Sequence, residues 1–181
     1  MRTVKIFVAV AVISVAGLVR VAAQDKDAKD AQKEAQEVST AVANFKADAD
    51  IAKWFDTSYG YVVFPSITKA AVLVGGAGGS GRVFEKGAYV GDARVSQASI
   101  GASLGGQSFA EVIFFETKAA LDRFKDSKWE TTAGMSAVAA SSGKSKDAKY
   151  SDGVAIFTQA NKGLMADVSV GGQKFKYTPK K

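Results

Sequence analysis

The chain has 181 residues, 24 basic and 18 acidic side chains, a net charge of +6, and neither histidine nor cysteine. Those two absences exclude disulfides, thiol nucleophiles, histidine general bases and the usual zinc sites. Stability has to come from packing alone, and the length suffices for one domain with a proper core.

Residues 1–23 have the three parts of a cleavable signal peptide. Arg2 and Lys5 give a positive start, Ile6 to Val19 is an apolar run, and Val21-Ala22-Ala23 supplies small or short residues before Gln24. The run is shorter than the ~20 residues that span a bilayer. The expectation is one domain over residues 24–181, periplasmic or secreted, with peripheral membrane association.

Residues 24–55 read as helical. Ala28, Ala31, Ala35, Val38, Val42 and Phe45 recur at alternating spacings of three and four, which makes one narrow apolar stripe. Lys26, Lys29 and Lys33 share a side with Asp30, Glu34 and Glu37, so that face is charge-balanced. A second short helix is predicted around Asp50 to Phe55, before Ser58-Tyr59-Gly60.

From Tyr61 the period falls to two. Predicted strands are Tyr61 to Phe64, ended by Pro65, then Ala70 to Val74, Arg82 to Phe84, Ala88 to Gly91, Arg94 to Leu104 and Ser108 to Phe115. Thr117 is placed to cap a helix with Leu121 and Phe124 inward. Residues 131–140 read as a strand and 141–152 as a loop. Val154 to Thr158, Gly163 to Val170 and Lys174 to Tyr177 complete the strands. The fold class is α+β: a curled, mostly antiparallel, glycine-rich sheet, barrel-like, with a long N-terminal helix and one inserted helix.

The glycine stretch Gly75-Gly76-Ala77-Gly78-Gly79-Ser80-Gly81 reads as the turning point of that sheet. Glycine lets the chain bend or lets another backbone approach closely. A side chain at Gly76 or Gly79 is therefore expected to destabilise the domain. The stretch also matches the dinucleotide pattern G-x-G-x-x-G, which has meaning only when a helix follows. Here Arg82 to Val90 reads as a hairpin, so no nucleotide site is expected.

Charge is unevenly distributed. Residues 24–116 hold nine basic and twelve acidic side chains, whereas residues 117–181 hold twelve and six, net +6. Such a half suits an anionic partner, or merely a solvated surface. No pair of carboxylates has a spacing that demands catalysis: Asp48 and Asp50 lie in a helical stretch, Glu111 at a strand start, Glu116 near a helix start.

Four blocks carry a family resemblance: Lys69 to Val83, Gln97 to Gln107, Val112 to Phe124, and Asn161 to Gly172. Together they resemble the SYLF lipid-binding family, which includes yeast actin-patch proteins and bacterial secreted proteins. The resemblance runs from about Asp30 to Tyr177. It implies a non-catalytic module without cofactors that binds phospholipid, phosphoinositides in eukaryotic members. Eukaryotic members use a basic amphipathic N-terminal helix; here that helix is charge-balanced, which turns attention to the basic C-terminal part. The expected lipid-binding residues are Lys118, Arg123, Lys125 and Lys128 on the inserted helix, Lys144, Lys146 and Lys149 on the loop, and Lys174 and Lys176 on the last strand. Trp129 is either an interfacial aromatic beside them or a satellite core residue. The expected partner is an anionic phospholipid membrane rather than nucleic acid or nucleotide. The alternative is an envelope protein–protein interaction or structural module.

Overall fold

The computed structural model describes residues 28–70, 75–99, 107–127, 129–131, 137–139, 145–161 and 172–180. The chain divides into two compact units, Met1–Gln36 and Glu37–Lys181. Helix α1 covers residues 28–46. Its first part, within the N-terminal unit, exposes Ala28 and Ala31. In the second unit Val38, Ala41 and Phe45 of the apolar stripe are buried. Helix α2, Ala49–Thr57, starts afresh because Asp48 adopts an extended conformation and its carboxylate accepts the Asp50 amide at 2.8 Å. It buries Ile51, Trp54 and Phe55.

The strands are β1 Gly60–Ala70, β2 Gly75–Glu85, β3 Ala88–Ser99, β4 Gln107–Phe115, β5 Val138–Ala139, β6 Val154–Ala160 and β7 Gln173–Pro179. They form one sheet in the order β5-β6-β4-β1-β2-β3-β7, antiparallel except for the short β5 beside β6. Pro65 does not end β1. The strand carries it through an irregularity between Phe64 and Ile67, where a missing N–H removes no ladder bond. Residues 71–74, read as strand, lie outside the described residues. The glycine run does not interrupt the strands; it is part of strand β2, paired along its length with β3. The β2–β3 turn has Lys86 at φ 48° and Gly87 at φ 80°, the two left-handed positions that match the twist of a tight hairpin.

The sheet curls strongly without closing. Strands β4 and β7 are separated by β1, β2 and β3, so on a flat sheet they would stand about 19 Å apart. Instead Gln173 Nε2 of β7 donates to Glu111 Oε2 of β4 at 3.0 Å. Phe64 of β1 and Phe175 of β7 likewise meet at 5.8 Å between ring centres. The glycines make this curl sterically feasible. A Cβ at Gly79 would lie 2.5 Å from the Ser66 carbonyl oxygen, and one at Gly81 would lie 2.3 Å from that of Val63.

Two apolar clusters follow from the alternation of side chains. Inside the curl lie Val62, Phe64, Ile67, Val83, Val95, Phe109, Ile113, Phe115, Ile156 and Phe175. On the other face Val63, Val112, Phe114, Ala155 and Phe157 pack against Phe45, Ile51, Trp54 and Phe55. Helix α3, Lys118–Lys125, closes the inner cluster with Ala120, Leu121 and Phe124, capped by Thr117, whose hydroxyl accepts the Ala120 amide at 3.2 Å. Trp129 packs on Phe115, Phe124 and Phe175 and is a satellite of this core. Of the strand read over 131–140, only Val138–Ala139 is strand among the described residues. Ser145–Asp147 forms a single 3-10 turn in the loop. Residues 1–23 and the strand read at 163–170 lie outside the described residues.

Candidate functional site

The cations of α3 are engaged by neighbouring carboxylates. Lys118 pairs with Asp122 at 2.6 Å, a hydrogen bond that raises the lysine's pKa. Arg123 binds the Asp152 carboxylate at 2.9 Å and its carbonyl at 2.7 Å. Lys125 bridges to Glu85 and is only partly exposed. The Lys125 ammonium and the Tyr59 hydroxyl both donate to Glu85, which holds its carboxyl below the ordinary range. Lys146 and Lys149 are exposed on the loop. Lys128 and Lys144 lie outside the described residues.

The last strand differs. Gln173, Phe175 and Tyr177 of β7 turn toward the inner cluster, leaving Lys174 and Lys176 exposed on the outer face. On β3, Arg94 stands directly opposite Lys176, and Ser96 opposite Lys174. Both β3 residues are exposed, because Val95 and Gln97 take the inward positions. Lys174 lies 3.9 Å from Glu130, at the outer limit of an ion pair. Three cations thus converge on one exposed sheet face. Sequence reasoning missed Arg94. The alternation Arg94-Val95-Ser96-Gln97 was visible, but only the β3–β7 pairing brings it beside the two lysines.

Two of the carboxylates weighed for catalysis, Asp48 and Glu111, have structural work. Asp48 caps α2 and also accepts from Ser145 Oγ at 2.7 Å. Glu111 is buried inside the curl, directly opposite Thr158 and bonded by Gln173. Thr131 Oγ1 accepts the Gln173 amide at 2.8 Å, extending this buried polar strip. Among the described residues no three His, Cys, Asp or Glu side chains gather as metal ligands. No described helix is long and apolar enough to cross a membrane. Gly76 to Gly81 lie within β2, and the element that follows is another strand. The phosphate-holding helix N-terminus that the dinucleotide pattern requires is therefore missing at this point.

Residues 96–180 match the family model described as Ysc84, Las17-binding protein actin regulator. That segment covers the end of β3 and all of β4, α3, β5, β6 and β7. Beta cell expansion factor A of Aeromonas veronii is 34% identical over 121 residues, 67% of this chain and 46% of that protein. The chain thus spans about half the length of the curated relative it matches.

Proposed function

Residues 96–180 belong to the Ysc84, SYLF-type, family of binding domains, and on that premise we propose that this protein binds anionic phospholipid surfaces peripherally. The observation that carries the reading is the grouping of Arg94, Lys174 and Lys176 on one exposed sheet face. Each such cation close to an anionic surface contributes about 1 kcal/mol of attraction. Lys118, Arg123 and Lys125 contribute less, because their charge is offset locally by Asp122, Asp152 and Glu85. Lys146 and Lys149 add long-range attraction. Chemistry is not part of this reading: the family is a binding family, and among the described carboxylates Asp48 serves as a cap, Glu85, Asp122 and Asp152 as ion-pair partners and Glu111 as a buried strut.

The signal-like residues 1–23 support export, with cleavage before Gln24 and function in the periplasm or outside the cell. Amino-terminal sequencing of exported protein tests this, and a chain still beginning at Met1 contradicts it. A second reading, an interaction module for another protein, is favoured by the family description as Las17-binding and actin-regulating.

The site is tested by charge reversal. Lys174→Glu with Lys176→Glu should abolish sedimentation with vesicles containing phosphatidylglycerol, while Lys118→Glu with Arg123→Glu should weaken it far less. The opposite order of effects moves the site to α3.

A further inference from the structure

The glycines of β2 divide into two sets. Gly79 and Gly81 face inward, where β1 backbone oxygens leave no room for a Cβ. Gly76 and Gly78 face outward and are exposed. A Cβ at Gly76 would meet nothing closer than the Gln97 carbonyl oxygen at 3.6 Å, and at Gly78 nothing closer than that of Val95 at 3.5 Å. Both are ordinary contact distances. Neither glycine has a positive φ. The expectation that Gly76 resists a side chain is thus not met by its surroundings. Glycine in a strand gives up packing and costs backbone entropy. The fold does not require that cost at these two positions.

What the outward glycines create is a hollow one side chain deep on a pleated face. Its rim is set by strand register. Thr68 of β1 stands opposite Gly78 on one side and Ser96 of β3 on the other. Ser80, the next outward residue along β2, stands opposite Arg94. Beyond β3 come Lys174, opposite Ser96, and Lys176, opposite Arg94. β1 and β3 each lie about 4.8 Å from β2, so the backbones carrying Thr68 and Ser96 stand about 10 Å apart, and a phosphate group fits between their side chains. Around it are three hydroxyls, a guanidinium and two ammonium groups, and all six side chains are exposed. A planar guanidinium suits two phosphate oxygens at once, and hydroxyls donate to a third.

We propose that the hollow at Gly76 and Gly78 is the seat of a phosphate-bearing lipid headgroup, held by Arg94, Ser80, Ser96 and Thr68, with Lys174 and Lys176 drawing the membrane surface onto the face. This rests on the membrane-binding reading above and sharpens it. The protein then reads a headgroup by fit as well as by charge. The occupant is a lipid rather than a soluble phosphate because the seat lies open on an exposed basic face, where further headgroups of one surface meet the lysines at the same time.

The test is a change of shape at constant charge. Gly78→Val fills the hollow with a side chain suited to a strand. Sedimentation with mixed phosphatidylcholine–phosphatidylglycerol vesicles should fall about tenfold or more, the worth of one lost charge-assisted hydrogen bond. The thermal midpoint should not fall. Arg94→Gln, at an exposed side chain, should give a similar loss and serves if Gly78→Val proves unstable. Wild-type protein that binds vesicles, with both variants binding equally well, overturns the seat and leaves membrane binding by diffuse charge. Wild-type protein that ignores the vesicles overturns the membrane-binding reading itself. Calorimetric titration with inorganic phosphate separates the sources. Much weaker uptake of phosphate than of vesicles is expected, and equal affinity overturns the lipid assignment.

Discussion

Two adjacent glycines of β2 should respond oppositely to the same added methyl group. At Gly79 an alanine Cβ would stand 2.5 Å from the Ser66 carbonyl oxygen and 3.2 Å from Ile67 Cγ1. Ordinary contact needs roughly 1 Å more, and the obstacle is backbone at the β1 irregularity, which cannot rotate away. Overpacking of this kind costs about 1–3 kcal/mol. For a domain of this size that lowers the melting midpoint by about 3–10 °C. At Gly78 the nearest atom is 3.5 Å from the same added group. Replacing a strand glycine by alanine there should gain about 0.5–1 kcal/mol, a rise of a few degrees. Thermal unfolding followed by far-ultraviolet circular dichroism, on Gly79→Ala and Gly78→Ala side by side, measures both. Equal shifts for the two variants, or an unchanged midpoint for Gly79→Ala, refute the assignment of inward and outward glycines.

Other outcomes follow from the packing and the caps. Phe157 lies edge-on to both Trp54 and Phe114 under the helices; Phe157→Ala should cost about 3–5 kcal/mol in denaturant unfolding. Thr117→Ala removes the α3 cap and should cost about 1 kcal/mol in the same assay, with vesicle binding retained. Tyr150 is pushed up to about 12, chiefly by burial and further by the nearby Glu116 carboxylate. The folded state therefore favours the neutral phenol. That contribution is complete below the ordinary tyrosine value of 10.0 and is lost as pH rises through about 12. Denaturant midpoints of wild type and Tyr150→Phe compared at about pH 9 and pH 11.5 check it. The wild type should lose more stability over that interval, and parallel losses contradict the assignment.

Much of the architecture was legible because side-chain period reports local structure directly. Leu121 and Phe124 are inward and Thr117 caps, as their spacing indicates. Period two marks most of the antiparallel strands, although Ala88 to Gly91 and the segment from Arg94, read as two strands, form the single strand β3. Pro65 and the strand character of the glycine run were missed for one physical reason. Both break ordinary strand preferences, and an irregularity in β1 that brings the Val63 and Ser66 carbonyls against β2 is what calls for glycine at Gly79 and Gly81. That juxtaposition is tertiary. The site was legible in part. Lys174 and Lys176 stand out through alternation with Phe175 and Tyr177. Whether a lysine is offset by a partner is another matter: Glu85 reaches Lys125 from forty residues away, and Asp152 reaches Arg123 from twenty-nine. Sequence spacing cannot reveal such pairs. The same holds for Arg94, whose relevance depends on β3 lying beside β7.

The central claim is attraction to an anionic lipid surface, and one measurement addresses it most directly. The protein lacking residues 1–23 is sedimented with phosphatidylcholine vesicles and with vesicles in which part of that lipid is replaced by phosphatidylglycerol, each at low and high salt. Between 0.1 M and 1 M salt the screening length falls from about 10 Å to about 3 Å. Binding to the anionic vesicles alone, reduced strongly at the higher salt, is the predicted result. Equal binding to both kinds of vesicle, or to neither, contradicts the account.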